Sequence, residues 1–443
     1  MTNAPAAARP EPPRWYRWTV LAFISLAMFG NYYLYDTIAP IADLLKQQLQ
    51  FTDEKIGLLY SSYSLGAILF LLLGGIIIDR FGTRKATMLF GVICAVSGFV
   101  TMASSDIRIM LLGRFLLGLS AEPLIVAITA AIAKWFRGKE LAFAMGINLT
   151  IARFGQIAAD NSPTWARAAY SNWQTPLIIG AFLGLTCVVG AAIYWALEKR
   201  AEARYNLGEA GTTDKLVVSD LVKFNASFWY ITALCVGFYC IIFPFRSFAI
   251  KFFMEAHEMT REAAGFQSSF LPIAAMIATP LIGLLTDKVG KRATLMLVGS
   301  LLLLPVFLMM GYLPSLPAVT VWIPLMGTFA IPVYVLVAVL LLGTAFSLIP
   351  AIMWPSVAYI VEQRRLGSAY ALMFLLQQLG ISGVVWLAGR ANDTAGASAA
   401  HPAGYLPMLW MFTLLGVVAL AFAFLLWRKE TGPTAHGLET IRA

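Results

Sequence analysis

Two opposite charges, Glu122 and Arg153, stand near the centres of long apolar stretches of the sequence. An ionisable side chain inside a membrane costs several kcal/mol unless it is paired or faces water, so each residue is a candidate for function. A zwitterion has an ammonium group that a carboxylate binds and a carboxylate that a guanidinium binds through two hydrogen bonds. The two residues therefore predict a site for a small zwitterion. The alternative is a direct salt bridge that joins their two helices.

Polar groups in other stretches extend this candidate site. A buried tyrosine hydroxyl needs a hydrogen-bonding partner, and Trp354 precedes Pro355, where a helix can bend. We predict substrate contacts from Tyr35, Tyr63, Asn148, Trp354 and Gln378. Glu122 and Arg114 are candidates for proton coupling. The sequence leaves open whether Glu122 carries a proton or only binds the ligand.

The stretches that hold these residues have the length and composition of membrane spans. The 443-residue chain is 59% hydrophobic and only 12% charged, whereas charged residues make up about 25% of a soluble protein. A helix crosses the hydrocarbon core in about 20 residues. The twelve candidate spans are 16–40, 55–79, 85–104, 108–133, 140–160, 174–197, 226–252, 263–286, 292–312, 333–362, 366–389 and 403–427.

Basic residues mark one side of these spans. The formal net charge of +9 is divided among short tracts instead of forming one basic face, which disfavours a nucleic-acid partner. Lys and Arg concentrate in cytoplasmic loops, and these tracts alternate with sparsely basic loops. They are Arg14/Arg17, Arg80/Arg84/Lys85, Lys134/Arg137/Lys139, Lys199/Arg200/Arg204, Lys288/Lys291/Arg292, Arg364/Arg365 and Arg428/Lys429. Two spans within the uncharged region 293–361 preserve the alternation, so both termini are predicted to be cytoplasmic.

One of these basic loops occurs twice, after the second span and after the eighth. Both copies place a glycine, an acidic residue, basic residues and a second glycine at the same spacing. An acidic residue beside basic neighbours at a helix end can lock a short turn, and glycine permits the tight turn and close helix approach. The predicted conformational loop residues are Gly75, Asp79, Arg80, Gly82, Arg84, Gly283, Asp287, Lys288, Gly290 and Arg292.

The spacing of the repeat predicts an insertion in the second half. The two loop copies lie 208 residues apart, whereas the pairs Gly118/Gly343 and Gly155/Gly380 lie 225 residues apart. The surplus of 17 residues falls within 313–330.

The repeated loop resembles the signature loop of the major facilitator superfamily, and the resemblance covers residues 15–428. The segment 114–118 (RFLLG) is similar to that superfamily's second motif. The Gly-Pro motif of drug/proton antiporters is missing from the fifth span, which disfavours drug efflux. The resemblance implies an all-α membrane protein with twelve transmembrane helices, in two six-helix bundles with pseudo-twofold symmetry and alternating access around a midplane site.

The expected domains follow from these boundaries. They are a disordered cytoplasmic tail (1–14), an N-terminal six-helix bundle (15–198), a central cytoplasmic linker (199–224), a C-terminal six-helix bundle (225–428) and a cytoplasmic tail (429–443).

Local strings resemble one branch of the superfamily, the lysosomal dipeptide transporters of animals and their bacterial relatives. The strings lie at 29–36, 58–64, 113–122, 135–141, 152–155, 243–245, 354–355 and 366–370. This resemblance implies a carrier for short peptides, dipeptides above all, in which Glu122 and Arg153 meet the charged ends of the peptide. The pseudo-equivalent positions in the second half carry neutral Ser347 and Gln378, so the bundle architecture itself does not require the charges.

Asp36 and Arg246 lie in the outer halves of the first and seventh spans, roughly 9–12 Å past the midplane at about 1.5 Å per residue. In the resembling superfamily these two helices face each other on the extracellular side. We therefore predict an outer gate contact that forms when the carrier faces inward. The alternative is interfacial snorkelling of Arg246 together with Lys251.

The leading prediction is a secondary transporter that moves dipeptides or similar small zwitterions by alternating access. One alternative is a carrier that uses Arg153 to bind an organic anion, such as a monocarboxylate or a sugar acid. Such a carrier could work with or without proton coupling. A second alternative is a non-transporting receptor or assembly protein, in which the buried charges serve structure.

The sequence does not predict an enzyme. A phosphate-binding glycine loop and the His/Cys spacings of metal sites are both missing, so we expect no cofactor and no metal. The expected partners are a small-molecule substrate and the lipid bilayer, and not nucleic acid. We expect a monomeric, multi-pass protein of a bacterial cytoplasmic (inner) membrane and leave an accessory subunit open.

Overall fold

The computed structural model describes residues 10–136, 138, 140–207, 224–313, 318–323 and 327–441. In chain order, the α-helices of these ranges are α1 (Arg14–Asp36), α2 (Ala42–Leu49), α3 (Asp53–Met102), α4 (Ile107–Phe136), α5 (Leu141–Asp160), α6 (Ser162–Trp165), α7 (Gln174–Arg204), α8 (Ala226–His257), α9 (Arg261–Val289), α10 (Arg292–Tyr312), α11 (Val333–Ile360), α12 (Leu366–Thr394) and α13 (Leu406–Glu430).

Ten of the described helical segments are long and apolar enough to cross a membrane by length and composition alone. Helix α1 is not among the ten, and α3 contributes only its part from Leu73. Helix α3 is broken at Gly82, whose φ of 78° and ψ of 163° are not helical. Glycine adopts positive φ without steric cost. Counting α1 and both halves of α3 is consistent with the twelve predicted spans.

The helices form two bundles. In the first, α1 packs against α5 and α7, and α3 packs against α4 and α7; in the second, α8 packs against α12 and α13, and α10 packs against α11 and α13. Contacts between α3 and α12 and between α5 and α9 join the two bundles. We call the end of the molecule where α1 begins and α13 ends the termini end, and the opposite end the far end.

Burial of apolar side chains holds each bundle together. One cluster of buried residues lies within α1–α7 and includes Phe90 and Ile128. The other fills the second bundle, and it also includes Ile41, Leu45 and Phe51 of the first. The segment between α1 and α3 therefore packs into the core of the second bundle, which joins the two bundles at the far end.

A β-hairpin occupies the predicted insertion. Strands β1 (Ala318–Ile323) and β2 (Gly327–Pro332) pair antiparallel, with Thr320 opposite Ala330. Phe329 is buried and stacks on Phe266 of α9 with ring centroids 5.1 Å apart. The sequence predicted the surplus and its place but no strands, because the segments AVTVWI and GTFAIP lack the alternation of polar and apolar residues that indicates a strand.

Some predicted boundaries differ from the helix ends. Helix α7 continues to Arg204, beyond the predicted bundle limit at 198. The segment after α13 returns to the second bundle, where the Glu439 carboxylate accepts a hydrogen bond from the Thr294 backbone N–H at 2.7 Å and Leu438 is fully buried. Residues 1–9 of the predicted tail, Arg137, Lys139 and linker residues 208–223 lie outside the described residues.

Candidate functional site

Residues from both bundles line a cavity of about 420 Å³. Helices α1, α3, α4 and α5 contribute from the first bundle, and α8, α9, α11 and α12 from the second. Six predicted substrate residues line it: Tyr35, Tyr63, Glu122, Arg153, Trp354 and Gln378. The cavity thus brings together most of the candidate site.

Two close helix crossings position the charged residues. A Cβ at Gly118 of α4 would overlap the Tyr63 carbonyl of α3, and a Cβ at Gly155 of α5 would overlap the Phe29 carbonyl of α1. Glycine at each crossing lets the backbones touch. Glu122 lies one turn beyond the first crossing, and Arg153 lies beside the second.

The Glu122 carboxylate has neutral partners. It accepts a hydrogen bond from the Tyr63 hydroxyl at 2.8 Å and a longer one from the Gln378 amide of α12 at 3.5 Å. Gln378 belongs to the second bundle, so the carboxylate contacts both halves of the molecule. The carboxylate can accept further hydrogen bonds, and Glu122 lines the cavity from which a ligand would donate them.

The Arg153 guanidinium is only partly satisfied. Its Nη1 donates to Gln156 Oε1 at 2.6 Å, and its Nε has no hydrogen-bond partner among the described residues. The Tyr32 and Phe346 rings flank the group, with centroids 5.9 and 5.3 Å from Cζ. No ion pair joins either Glu122 or Arg153 to another described residue, so the direct salt bridge between them is not formed in this conformation.

Aromatic side chains shape the rest of the cavity. The Tyr35 ring packs edge-on against Tyr63, with centroids 4.7 Å apart. Trp354 Nε1 donates to the Tyr239 hydroxyl at 3.0 Å, and the Trp354 carbonyl accepts from the Tyr370 hydroxyl at 3.1 Å. The first bond fixes the orientation of the indole ring that faces the cavity, and the second joins the Trp354 backbone to α12.

Two predicted residues lie away from the cavity. The Asn148 amide donates to the Ser25 hydroxyl at 2.8 Å and joins α5 to α1. Arg114 is 1% exposed and donates to the backbone carbonyls of Leu34 and Tyr35 at 2.9 and 3.0 Å. Both side chains therefore form hydrogen bonds with neighbouring protein groups and do not line the cavity.

The cavity also has lining residues that the sequence analysis did not select: Asn31, Tyr32, Gln156, Tyr239, Phe346 and Gln377. Helical spacing could have identified two of them. Gln156 lies three residues after Arg153 and Tyr32 three before Tyr35, and residues at this spacing share a helix face.

Arg246 joins the two bundles at the far end. Its Nη2 donates to Asp36 Oδ2 at 3.0 Å and to Asp160 Oδ2 at 3.2 Å, and all three side chains are buried. Lys251 is also buried, and its Nζ lies 2.8 Å from Asp53 Oδ2. The two cations therefore do not snorkel to the membrane interface in this conformation.

Further contacts close the same end. Arg261 pairs with Asp43 across the bundles, and burial raises the pKa of the Asp43 carboxyl from its ordinary value, a shift that Arg261 opposes. Asp393 of α12 accepts hydrogen bonds from the backbone N–H groups of Asp53 and Glu54 at 2.9 and 2.7 Å. A residue of one bundle therefore caps the N-terminus of a helix in the other.

The repeated loops lie at the termini end. Gly82 and Gly290 have φ of 78° and 69°. Arg84 donates to Glu202 at 2.6 Å in the first bundle, and Arg292 donates to Asp287 at 3.1 Å in the second. Each of these ion pairs stays within its own bundle.

Comparison with known proteins gives three findings. The family model of the Major Facilitator Superfamily matches residues 24–385. The lysosomal dipeptide transporter MFSD1 of Bos taurus is 31% identical over 398 residues, which cover 86% of this chain and 80% of that protein. The hexuronate transporter of Bacillus subtilis (strain 168) is 23% identical over 385 residues, which cover 85% of this chain and 88% of that protein.

Solved structures share the same architecture. A bacterial homolog to the human lysosomal transporter Spinster, in an inward-facing and occupied conformation, superposes with a TM-score of 0.72. The superposition covers 94% of this chain and 98% of that chain at 18% sequence identity. At this identity the likeness concerns the fold alone.

Proposed function

This chain belongs to the major facilitator superfamily and is an integral, multi-pass membrane transporter, and from that premise we propose that its substrates are dipeptides or similar small zwitterions. One observation carries the proposal: Glu122 and Arg153 have opposite charges, line one cavity and lack ionic partners among the described residues. A dipeptide supplies the missing charges, an ammonium group for Glu122 and a carboxylate for Arg153.

The size and lining of the cavity support this substrate class. Small-molecule sites measure about 300–1,000 Å³ and combine apolar walls with a few placed polar groups, and this cavity measures about 420 Å³. Aromatic walls around the two charges also lower the local dielectric, which strengthens the ionic contacts of a bound zwitterion. The likeness to the lysosomal dipeptide transporter is a second, independent support.

A carrier of organic anions is the second candidate. The 23% identical relative is named a hexuronate transporter, and Arg153 can bind a carboxylate without help from Glu122. The two relatives described above are named as transporters, which disfavours the receptor alternative. The two remaining candidates differ in whether they need the Glu122 carboxylate.

One substitution and one modified ligand separate these candidates. With purified protein, Ala-Ala should raise the apparent melting temperature, because a ligand that binds only the folded state stabilises it by mass action. Glu122→Gln should weaken Ala-Ala binding by roughly tenfold to a hundredfold through loss of a charge-assisted hydrogen bond. N-acetyl-Ala-Ala, which lacks the ammonium group, should bind the unmodified protein as weakly as Ala-Ala binds this variant.

The matched control is Glu140→Gln, a glutamate paired with Arg14 at the termini end, which should bind Ala-Ala normally. Arg153→Gln should lose dipeptides and hexuronate alike, because both substrates need the guanidinium. If hexuronate stabilises the protein, Ala-Ala does not, and Glu122→Gln has no effect on hexuronate, the anion carrier is correct and the dipeptide proposal is wrong.

The buried contact of Asp36, Asp160 and Arg246 supports an outer gate that is closed in this conformation. Basic tracts at the termini end support a cytoplasmic location for both chain termini. We also propose, from the sequence, a bacterial inner-membrane location and a monomeric state. The proposed role of the repeated loops is to lock the short turns between helices of one bundle.

A further inference from the structure

A second cavity of about 340 Å³ adjoins the first. It lies among α3, α4, α11 and α12, and three residues line both cavities: Glu122, Trp354 and Phe374. Arg153 lines only the first. The carboxylate thus stands at the boundary of two chambers, whereas the guanidinium belongs to one.

Except for Glu122, the walls of the second cavity are apolar or aromatic. Phe70, Val126 and Phe374 contribute side chains without polar atoms. The polar atoms of the other two aromatic residues are already bonded, since the Tyr370 hydroxyl donates to the Trp354 carbonyl and Trp354 Nε1 donates to Tyr239. This chamber therefore suits an apolar group that makes no hydrogen bonds.

The stereochemistry of a peptide relates the two chambers. The α-amino group and the side chain of the first residue share one Cα, whereas the terminal carboxylate lies on the following residue. A dipeptide whose ammonium group binds Glu122 and whose carboxylate binds Arg153 has its backbone in the first cavity. Its first side chain then leaves the Cα beside Glu122, at the entrance to the second cavity.

We propose that the second cavity is a subsite for the side chain of the amino-terminal residue and that it selects large apolar side chains. This inference rests on the proposed dipeptide function and adds the orientation in which the peptide binds. Burial of an aromatic or branched aliphatic side chain favours binding roughly tenfold to a hundredfold over glycine. The side chain of the second residue stays in the first cavity, which Arg153 lines and which also holds the peptide backbone.

Two isomeric dipeptides test this orientation of the bound peptide. Phe-Gly and Gly-Phe have the same atoms and charges and differ only in which end carries the aromatic ring. The full-length protein in lipid nanodiscs should bind Phe-Gly at least tenfold more tightly than Gly-Phe. Binding can be measured by thermal shift or by tryptophan fluorescence, since Trp354 lines both cavities.

Filling the chamber should abolish the preference. Ala371 of α12 is buried and lines only the second cavity, so Ala371→Phe should lower the ratio of the two affinities towards one. Val126→Trp provides a second filling variant at a wall position that is 38% exposed. The matched control is Leu379→Phe, on the outer face of the same helix α12 and 48% exposed, which should retain the full ratio.

The outcomes separate this inference from the proposed function. If neither isomer binds while a carboxylate does, the dipeptide function fails. If both isomers bind equally, or if the filling variants weaken both to the same extent, only the subsite is wrong. A preference seen in detergent that disappears in nanodiscs would identify a lipid chain as the occupant and would also overturn the subsite.

Discussion

Ionic contacts join the two bundles at the far end, whereas at the termini end the ion pairs of the described residues stay within one bundle. The pairs across the bundles are Arg246 with Asp36 and Asp160, Lys251 with Asp53, Arg261 with Asp43, and Arg167 with Glu262. The pairs within a bundle include Arg84 with Glu202, Lys134 with Glu198, and His436 with Glu430. The same interaction thus has two different consequences.

A contact that exists only while the bundles touch stabilises one conformation of the transporter. A contact within one bundle persists when the bundles move, so it stabilises the fold and leaves the conformational equilibrium unchanged. Buried pairs add little net stability when intact, but removing one partner costs about 3–5 kcal/mol because a buried charge is left uncompensated. Far-end substitutions should therefore change the conformation, and termini-end substitutions should change only stability.

Removing Arg246 should have the largest effect. Arg246→Met leaves Asp36 and Asp160 buried without a counter-charge, and the far end should open to hydrate them, with a shift of up to about 3–5 kcal/mol in the conformational equilibrium. Spin labels at exposed Ser105 and Ala399, which lie at the far end of opposite bundles, should move apart in double electron–electron resonance.

The control for that experiment is Arg390→Met. Arg390 also lies near the far end of the second bundle, but its guanidinium packs over the Trp386 ring of its own helix, 5.6 Å from the centroid. Its label distances should match those of the unmodified protein. Unchanged distances in Arg246→Met would show that the buried cluster does not hold the far end closed.

Removing the cap across the bundles should have an intermediate effect. Asp393→Ala takes the carboxylate from the backbone N–H groups of Asp53 and Glu54, and loss of a helix cap costs about 0.5–2 kcal/mol. Because the capped helix belongs to the other bundle, this energy should appear as a partial opening at the same label pair. Asp393→Asn keeps one acceptor and should open less, whereas equal distances in all three proteins would contradict a role in closure.

The sequence predicted the contacts that depend on local pattern. The length of the apolar stretches located the helices. The positive φ of Gly82 matches the glycine that the repeated loop requires. Glu122 and Arg153 share a cavity because both lie near the centres of adjacent spans. Asn148 was selected for nearness along the chain, but five residues turn a helix by roughly 140°, so it faces α1 and not the cavity with Arg153.

The contacts across the bundles could not be predicted in the same way. Asp160 and Asp393 stand at helix ends, where a carboxylate normally meets water, and only the packing of one bundle on the other brings them to Arg246 and to the start of α3. Asp36 and Arg246 were predicted to meet because the fold implied by the resemblance brings their helices together. Predicting the tertiary contacts between the repeated halves therefore required knowledge of the fold, because sequence spacing alone was insufficient.

The smallest effect should come from the termini end. Glu202 is 44% exposed in its pair with Arg84, so Glu202→Gln should cost less than about 1 kcal/mol and leave the far-end label distances unchanged. Glu198 is nearly fully buried and accepts from Lys134 at 2.8 Å and from Trp135 at 3.4 Å. Glu198→Gln should therefore lower the melting temperature more than Glu202→Gln, again without moving the labels. If either variant opens the far end, the two ends are coupled through the first bundle and the assignment of ionic contacts to separate roles is wrong.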